Sequence, residues 1–382
     1  MDIFGLDTGL FSLVGVLVAF AGGVFGACFG ALMSFIFIAV ICAVVGGIAA
    51  VDGGSTMVWT IGFGADGVNP WSFYAPQIAW AGAIFGVGYA RKKGYLASGK
   101  DIISTLLGTR KPDALAMGGV GGVIGYVIVA LSFVNFGAGD APVMFSKWVD
   151  PVAFSVVVTA LIGKLIWDGT ITGKTPEEVR ALKAGRFNAN APAWLPYLSS
   201  GTEKVMFGGA LGLGAGWVAS TFLNSSSPAV QSLAFIVPWT IAVFSLIGFF
   251  TPGYAMPASH HIAYSGAFGA ILSAGMGLGI QLMWAFGMGI LACFAADAMS
   301  RLFNNYGGRI GGTWVDPPTS AILVASVFLR WIFAPLFDDR AAGIVVPLVI
   351  LALALVAAYI DHVSIKTKAA ADVELTKHEL LV

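Results

Sequence analysis

Charge is what this sequence has least of. Only 10% of its 382 residues are Asp, Glu, Lys or Arg, against about 25% in a soluble domain. So few charged side chains cannot cover a globular surface of this size. Acidic and basic residues also balance to a net charge of zero, which leaves no electrostatic basis for holding nucleic acid. Cysteine is nearly as scarce. Cys28, Cys42 and Cys293 each lie inside an apolar run, without metal-ligand spacing. They exclude a disulfide framework and read as small buried residues. The first residues carry Asp2 and Asp7 rather than a basic cluster, so a cleaved signal peptide is not expected.

The motifs of common enzymes are missing as well. The sequence has no nucleotide-binding P-loop, no His-Glu-x-x-His, no paired cysteines and no Gly-x-Ser-x-Gly. The chain is therefore not expected to be an enzyme or to hold a cofactor or metal. Without an ATPase domain, any active transport would draw on a gradient.

Apolar residues are abundant, at 58%, and mean hydropathy is +0.87. Glycine, at 51 residues, shows no three-residue collagen period. In apolar runs it suits close helix contact in lipid. A spanning helix needs about 20 apolar residues. The run from Leu10 to Val51 is about twice that, so it predicts two spans, broken near Gly26 and Gly30. Further spans are predicted near 76–91, 114–135, 148–168, 205–223, 229–250, 259–278, 279–298, 317–336 and 342–361. The expected fold is an all-α polytopic transmembrane bundle of about 10–12 helices with broken or re-entrant segments. The expected division is a first half at 1–168, a cytoplasmic linker at 169–204, a second half at 205–362 and a cytoplasmic tail at 363–382. Pro176, Glu177 and Glu178 in the linker resemble a helix start.

The basic residues predict orientation. Arg91, Lys92, Lys93, Lys100, Arg110 and Lys111 form one group; Lys174, Arg180, Lys183, Arg186 and Lys204 form another; Arg301, Arg309, Lys366, Lys368 and Lys377 complete the set. The span count puts all of them on one side, and Asp52, Asp66, Asp140, Asp338 and Asp339 on the other. The expectation is an N-terminus outside and a C-terminus inside, in a bacterial cytoplasmic membrane.

Two stretches match internally. Ile78-Ala79-Trp80-Ala81-Gly82-Ala83 resembles Ile262-Ala263-Tyr264-Ser265-Gly266-Ala267, and each follows a Pro-bearing loop. Gly108-Thr109 with Asp113 more weakly matches Gly312-Thr313 with Asp316. The first match predicts two related halves in inverted orientation, as in many transporters; the second, with one more span in its interval, does not fit strict inversion. The matched helices are expected to pack near each other at the protein centre, with Gly82 and Gly266 letting backbones approach.

The loops before those helices carry Asn69, Pro70, Trp71, Tyr74, Pro76 and Gln77 in one half, and Pro252, Tyr254, Pro257, His260 and His261 in the other. If they dip inward, two helix N-termini face each other and favour an anion or polar carbonyl. The competing reading makes them interfacial loops, with Trp71, Tyr74 and Tyr254 as anchors. The predicted substrate-binding set is His260, His261, Gln77, Asn69, Trp80, Tyr264, Thr313 and Asp316. Asp316 also fits a helix N-cap followed by Pro317. Lys164 with Asp168 and Asp297 with Arg301 are spaced to pair; Arg330 lies deeper, with Asp338 or Asp339 as possible receivers. The functional expectation is a transporter or channel for a small polar or anionic solute, in contact with the lipid bilayer and open to homo-oligomer formation. The alternative is a structural or assembly subunit of a larger membrane complex.

Overall fold

A computed structural model gives the fold and describes residues 10–52, 72–134, 148–171, 200–251, 257–304 and 312–379, with the single positions 187 and 195, and side chains to residue 364. Among the described residues the regular structure is helical throughout, as expected. The elements are α1 (Leu13–Phe29), α2 (Ala31–Asp52), α3 (Ala81–Lys92), α4 (Pro112–Ser132), α5 (Pro151–Asp168), α6 (Gly201–Leu223), α7 (Pro228–Gln231), α8 (Ile236–Phe244), α9 (His260–Leu272), α10 (Leu278–Phe303), α11 (Pro317–Val327) and α12 (Arg340–Glu379). Six of these hold stretches long and apolar enough to cross a membrane, with three shorter apolar helical stretches beside them. The chain is thus a membrane protein built of helices.

The helix ends follow local chemistry. The long N-terminal run breaks at Gly30, whose φ of +90° is open to glycine but not to side-chain-bearing residues. Gly26 stays inside α1, packed against the Ala79 backbone. The run at 259–298, which has no polar break, divides at Gly277, with φ +84°. Three helices start on a capping side chain beside a small or proline residue. The Asp150 carboxylate accepts from Ala153 N at 2.8 Å, that of Asp316 from Thr319 N at 2.8 Å, and the Ser200 hydroxyl from Glu203 N at 3.3 Å. The predicted N-cap role of Asp316 is therefore present. α6 begins at Gly201, inside the expected linker, so Lys204 is a buried helix residue and not part of a solvated loop.

Glycine sets the packing. A Cβ on Gly82 of α3 would lie 2.6 Å from Gly118 O of α4 and 2.8 Å from Gly23 Cα of α1. A Cβ on Gly266 of α9 would lie 2.6 Å from Gly212 O of α6, and Gly289 of α10 meets the same stretch of α6. The glycine faces of the two matched helices therefore do not meet each other, contrary to expectation. Each helix fills the centre of a separate trio, α1–α3–α4 or α6–α9–α10. Their glycine faces are already taken by close backbone contacts within each trio. The trios are joined through α2 against α8 and α5 against α11. α12 packs on α10 and α6 at the edge, and only 22% of its apolar window is buried.

Two buried aspartates each gather cations around them. Asp168 at the end of α5 meets Arg91 at 3.4 Å and Lys164 at 3.6 Å, and accepts from Thr313 N at 2.7 Å. Asp297 on α10 meets Lys204 at 2.5 Å and Arg301 at 2.9 Å. Both predicted four-residue pairs are present. Arg330 finds Asp150 at 3.9 Å, and not the predicted Asp338 or Asp339. Asp150 caps α5 beside the last turns of α11, a partner too far away in sequence to be expected.

Candidate functional site

The interior starts of α3, α9 and α11 surround a cavity of about 140 Å³. A π-helical turn at Pro76–Trp80 leads into α3 and ends on Trp80. Trp80 lies with its ring centroid 5.3 Å from that of Phe35 on α2, and His260, the first residue of α9, lies 5.0 Å from the same Phe35 ring. Trp239 of α8 closes on Phe35 from a third direction, at 5.7 Å. Trp314, Asp316 and Pro318, at the start of α11, line the cavity together with Phe249, Ala258 and Leu195.

The polar groups facing this space are few and buried. His260 is 3% exposed, and neither ring nitrogen has a hydrogen-bond partner; Trp80 is likewise 3% exposed with its indole Nε1 unpartnered. A buried unpaired donor or acceptor costs roughly 1–3 kcal/mol, so each one calls for an explanation, of which a bound water, ion or solute is one. The Asp316 carboxylate accepts from Thr319 N and Oγ1 through Oδ2, and from Trp314 Nε1 at 3.3 Å through Oδ1.

Three of the predicted residues, His260, Trp80 and Asp316, thus share one cavity. Tyr264 does not line it. Its hydroxyl donates to Asp150 Oδ2 at 3.0 Å, beside a second, wider pocket of about 590 Å³ that also touches Arg330 and Asp338. His261 is buried next to His260, rings 5.9 Å apart, but does not line the cavity. Gln77 is buried in the π turn, its carbonyl against Gly125 of α4. Thr313 turns toward Gly88 and Gly163 and does not line the cavity. Asn69, with Trp71 and Tyr254, lies outside the described residues. Asp113 is remote as well, accepting from the hydroxyls of Tyr89 at 2.9 Å and Tyr95 at 3.0 Å. In the α3–α4 connection, that bond to Asp113 pushes the Tyr95 phenol up from its ordinary value, with burial adding to it. The sequence reading missed Phe35, Phe249 and Trp314, which carry no signal beyond being aromatic. It also missed Asp150, although an Asp-Pro pair opens both α5 and α11.

A family model matches residues 6–339. The chain belongs to a family of unknown function, DUF7973. The match covers α1 to α11 and stops at the turn before α12. No curated protein and no solved structure matches the chain.

Proposed function

We propose that this protein carries a small polar solute across the membrane, through a central site between two halves of inverted orientation. On this reading α1–α5 form one half and α6–α11 the other, with α7 and α8 counted as one span. Five spans in each half, an odd number, give the two halves opposite orientations. The extent of the family match, which takes in both halves and leaves out α12, fits this division.

The observation that carries the reading is a reciprocal pairing. The aromatic residue of each matched helix faces the Asp-Pro start of a helix in the other half. Tyr264 of the second half bonds Asp150 of the first at 3.0 Å. Trp80 of the first half shares a cavity with Asp316 of the second. Counterpart helices also meet each other, α2 with α8 and α5 with α11, as they do around a two-fold axis. One aromatic–aspartate pair is closed and the other stands open, which supports an alternating carrier in which the two exchange states. Orientation follows the basic end, which the reading places in the cytoplasm. The chain acts here as a carrier and not as an enzyme, and the bilayer is its surroundings.

The test is cysteine accessibility. Leu246→Cys, in the cavity wall, should react with an impermeant maleimide from the basic side only. Asp150→Asn, combined with Leu246→Cys, should weaken the closed pair and admit reagent from the opposite side. Equal reactivity in both backgrounds, from either side or from neither, refutes alternation and favours the scaffold reading.

A further inference from the structure

Resting on the reading of this cavity as the solute site, we infer that the solute is a small organic cation: an ammonium head on a compact body that also carries one neutral oxygen acceptor. Size is the first constraint. A cavity of about 140 Å³ is close to one that holds a benzene-sized molecule, so the solute has about six or seven non-hydrogen atoms. The walls are the second. Phe35, Trp80, Phe249 and Trp314 supply aromatic rings, whose faces attract a cation and an ammonium head in particular.

Charge is the third constraint. Among the described residues that line the cavity, Asp316 is the one ionisable acid and none is Lys or Arg. An anion would be placed beside a buried carboxylate with no opposite charge to offset it. This removes the anionic half of the expectation drawn from the sequence. The carboxylate keeps acceptor capacity, because four lone-pair sites serve three donors, one of them at a long 3.3 Å. The fourth constraint is the donors. Trp80 Nε1 and the protonated nitrogen of a neutral His260 have no partner, and an ammonium cannot satisfy them. A hydroxyl or carbonyl oxygen can, while the other imidazole nitrogen accepts from the solute's own N–H or O–H. Methylated amino alcohols of that size, from N,N-dimethylethanolamine to choline, meet all four constraints.

The decisive comparison uses the full-length wild-type protein in detergent, titrated by calorimetry and by tryptophan fluorescence. The probes are choline, its uncharged isostere 3,3-dimethyl-1-butanol, tetramethylammonium and propionate. Choline should bind about tenfold or more tightly than the isostere, and more tightly than tetramethylammonium, which lacks the oxygen. Asp316→Asn, which keeps a competent N-cap, should erase the preference for charge; Phe249→Leu should weaken choline while leaving the helix starts intact. Isostere or propionate binding as tightly as choline overturns the inference, as does no binding by any probe. The same head group occurs on lipids. Vesicles of phosphatidylglycerol with and without phosphatidylcholine separate the sources: occupation by phosphatidylcholine, with free choline unable to compete, overturns a free solute. Uptake of labelled solutes into phosphatidylglycerol vesicles tests the two readings apart. Choline binding without flux sinks transport and keeps the cation site. Flux of a neutral or anionic solute without choline binding keeps transport and sinks the cation.

Discussion

Two glycine-to-alanine substitutions should move stability in opposite directions. At Gly82, a new Cβ would lie 2.6 Å from Gly118 O, 2.8 Å from Gly23 Cα and 3.0 Å from Gly122 N. All three are backbone atoms, so no side chain can rotate away. The nearest, on α4, falls about 0.8 Å short of ordinary contact and the α1 atom about 0.6 Å short, so both helices must retreat from α3. Overpacking of this kind costs about 1–3 kcal/mol, and rigid helix backbone on two sides puts Gly82 at the upper end. Better helix propensity returns about 1 kcal/mol, leaving a net loss of about 2 kcal/mol for Gly82→Ala. At Gly214 of α6 a Cβ meets nothing within 4 Å, so only the propensity term acts and Gly214→Ala gains up to about 1 kcal/mol. Thermal unfolding of the purified protein in one detergent, followed by tryptophan fluorescence, reads both. Trp80 lies two residues before Gly82, so Gly82→Ala should also weaken whatever binds the cavity. If Gly82→Ala melts at or above Gly214→Ala, the close-packed trio does not hold these helices together.

His260→Phe keeps a ring against Phe35 and removes two unpartnered nitrogens; it should raise stability by about 1–3 kcal/mol while abolishing solute flux, and a loss of stability would show that the imidazole is satisfied. Asp297→Asn leaves Lys204 and Arg301 buried without their anion and should cost about 3–5 kcal/mol, part of it recovered when Lys204→Met is added; an unchanged melting temperature refutes the buried triad. In intact cells, an impermeant maleimide should label Asp339→Cys at once and Ser104→Cys only after permeabilisation, both positions being exposed; the reverse pattern inverts the orientation.

What could be read from the sequence is what depends on neighbours in the chain. Hydropathy and length locate spans because lipid demands both. Gly30 and Gly277 break helices through their own φ. Asp316 caps α11 through a residue three places on, and Lys164–Asp168 and Asp297–Arg301 pair one helical turn apart. What failed depends on contacts made across the chain. Asp150 meets Tyr264 over 114 residues, and nothing local to either marks the other. Gln77 was expected to face the cavity beside Trp80. The π turn at Pro76–Trp80 adds a residue to the first turn and so changes which side chains point inward. Asp113 was aligned with Asp316 because a Gly-Thr pair precedes each. The structural parallel is Asp150, whose Asp-Pro start was visible but unweighted. Short glycine and threonine matches recur by chance in apolar sequence, whereas Asp-Pro fixes a helix start by geometry.

The burial of Trp80 and His260 supports the proposed inward reading of the helix starts that follow the Pro-bearing loops. Interfacial anchors keep their polar ends in water or headgroups. Trp80 and His260 are each 3% exposed and keep unpartnered nitrogens, so an anchoring role gives them no compensation for lost hydration. Phe35 presses on both rings, and replacing either with an apolar ring would pack equally well without leaving a donor unpaired. A site that must recognise a polar solute has a reason to keep them, since groups left unpaired until the solute arrives are the ones that reject a solute unable to pair them. The Tyr264–Asp150 pair is the contrast, because there the aromatic residue carries a hydroxyl that reaches the carboxylate directly. Trp80 offers only an indole N–H, and the cavity lies between it and Asp316. On the proposed two-fold relation, this difference in side chain is enough to make one pair a latch and the other a binding site.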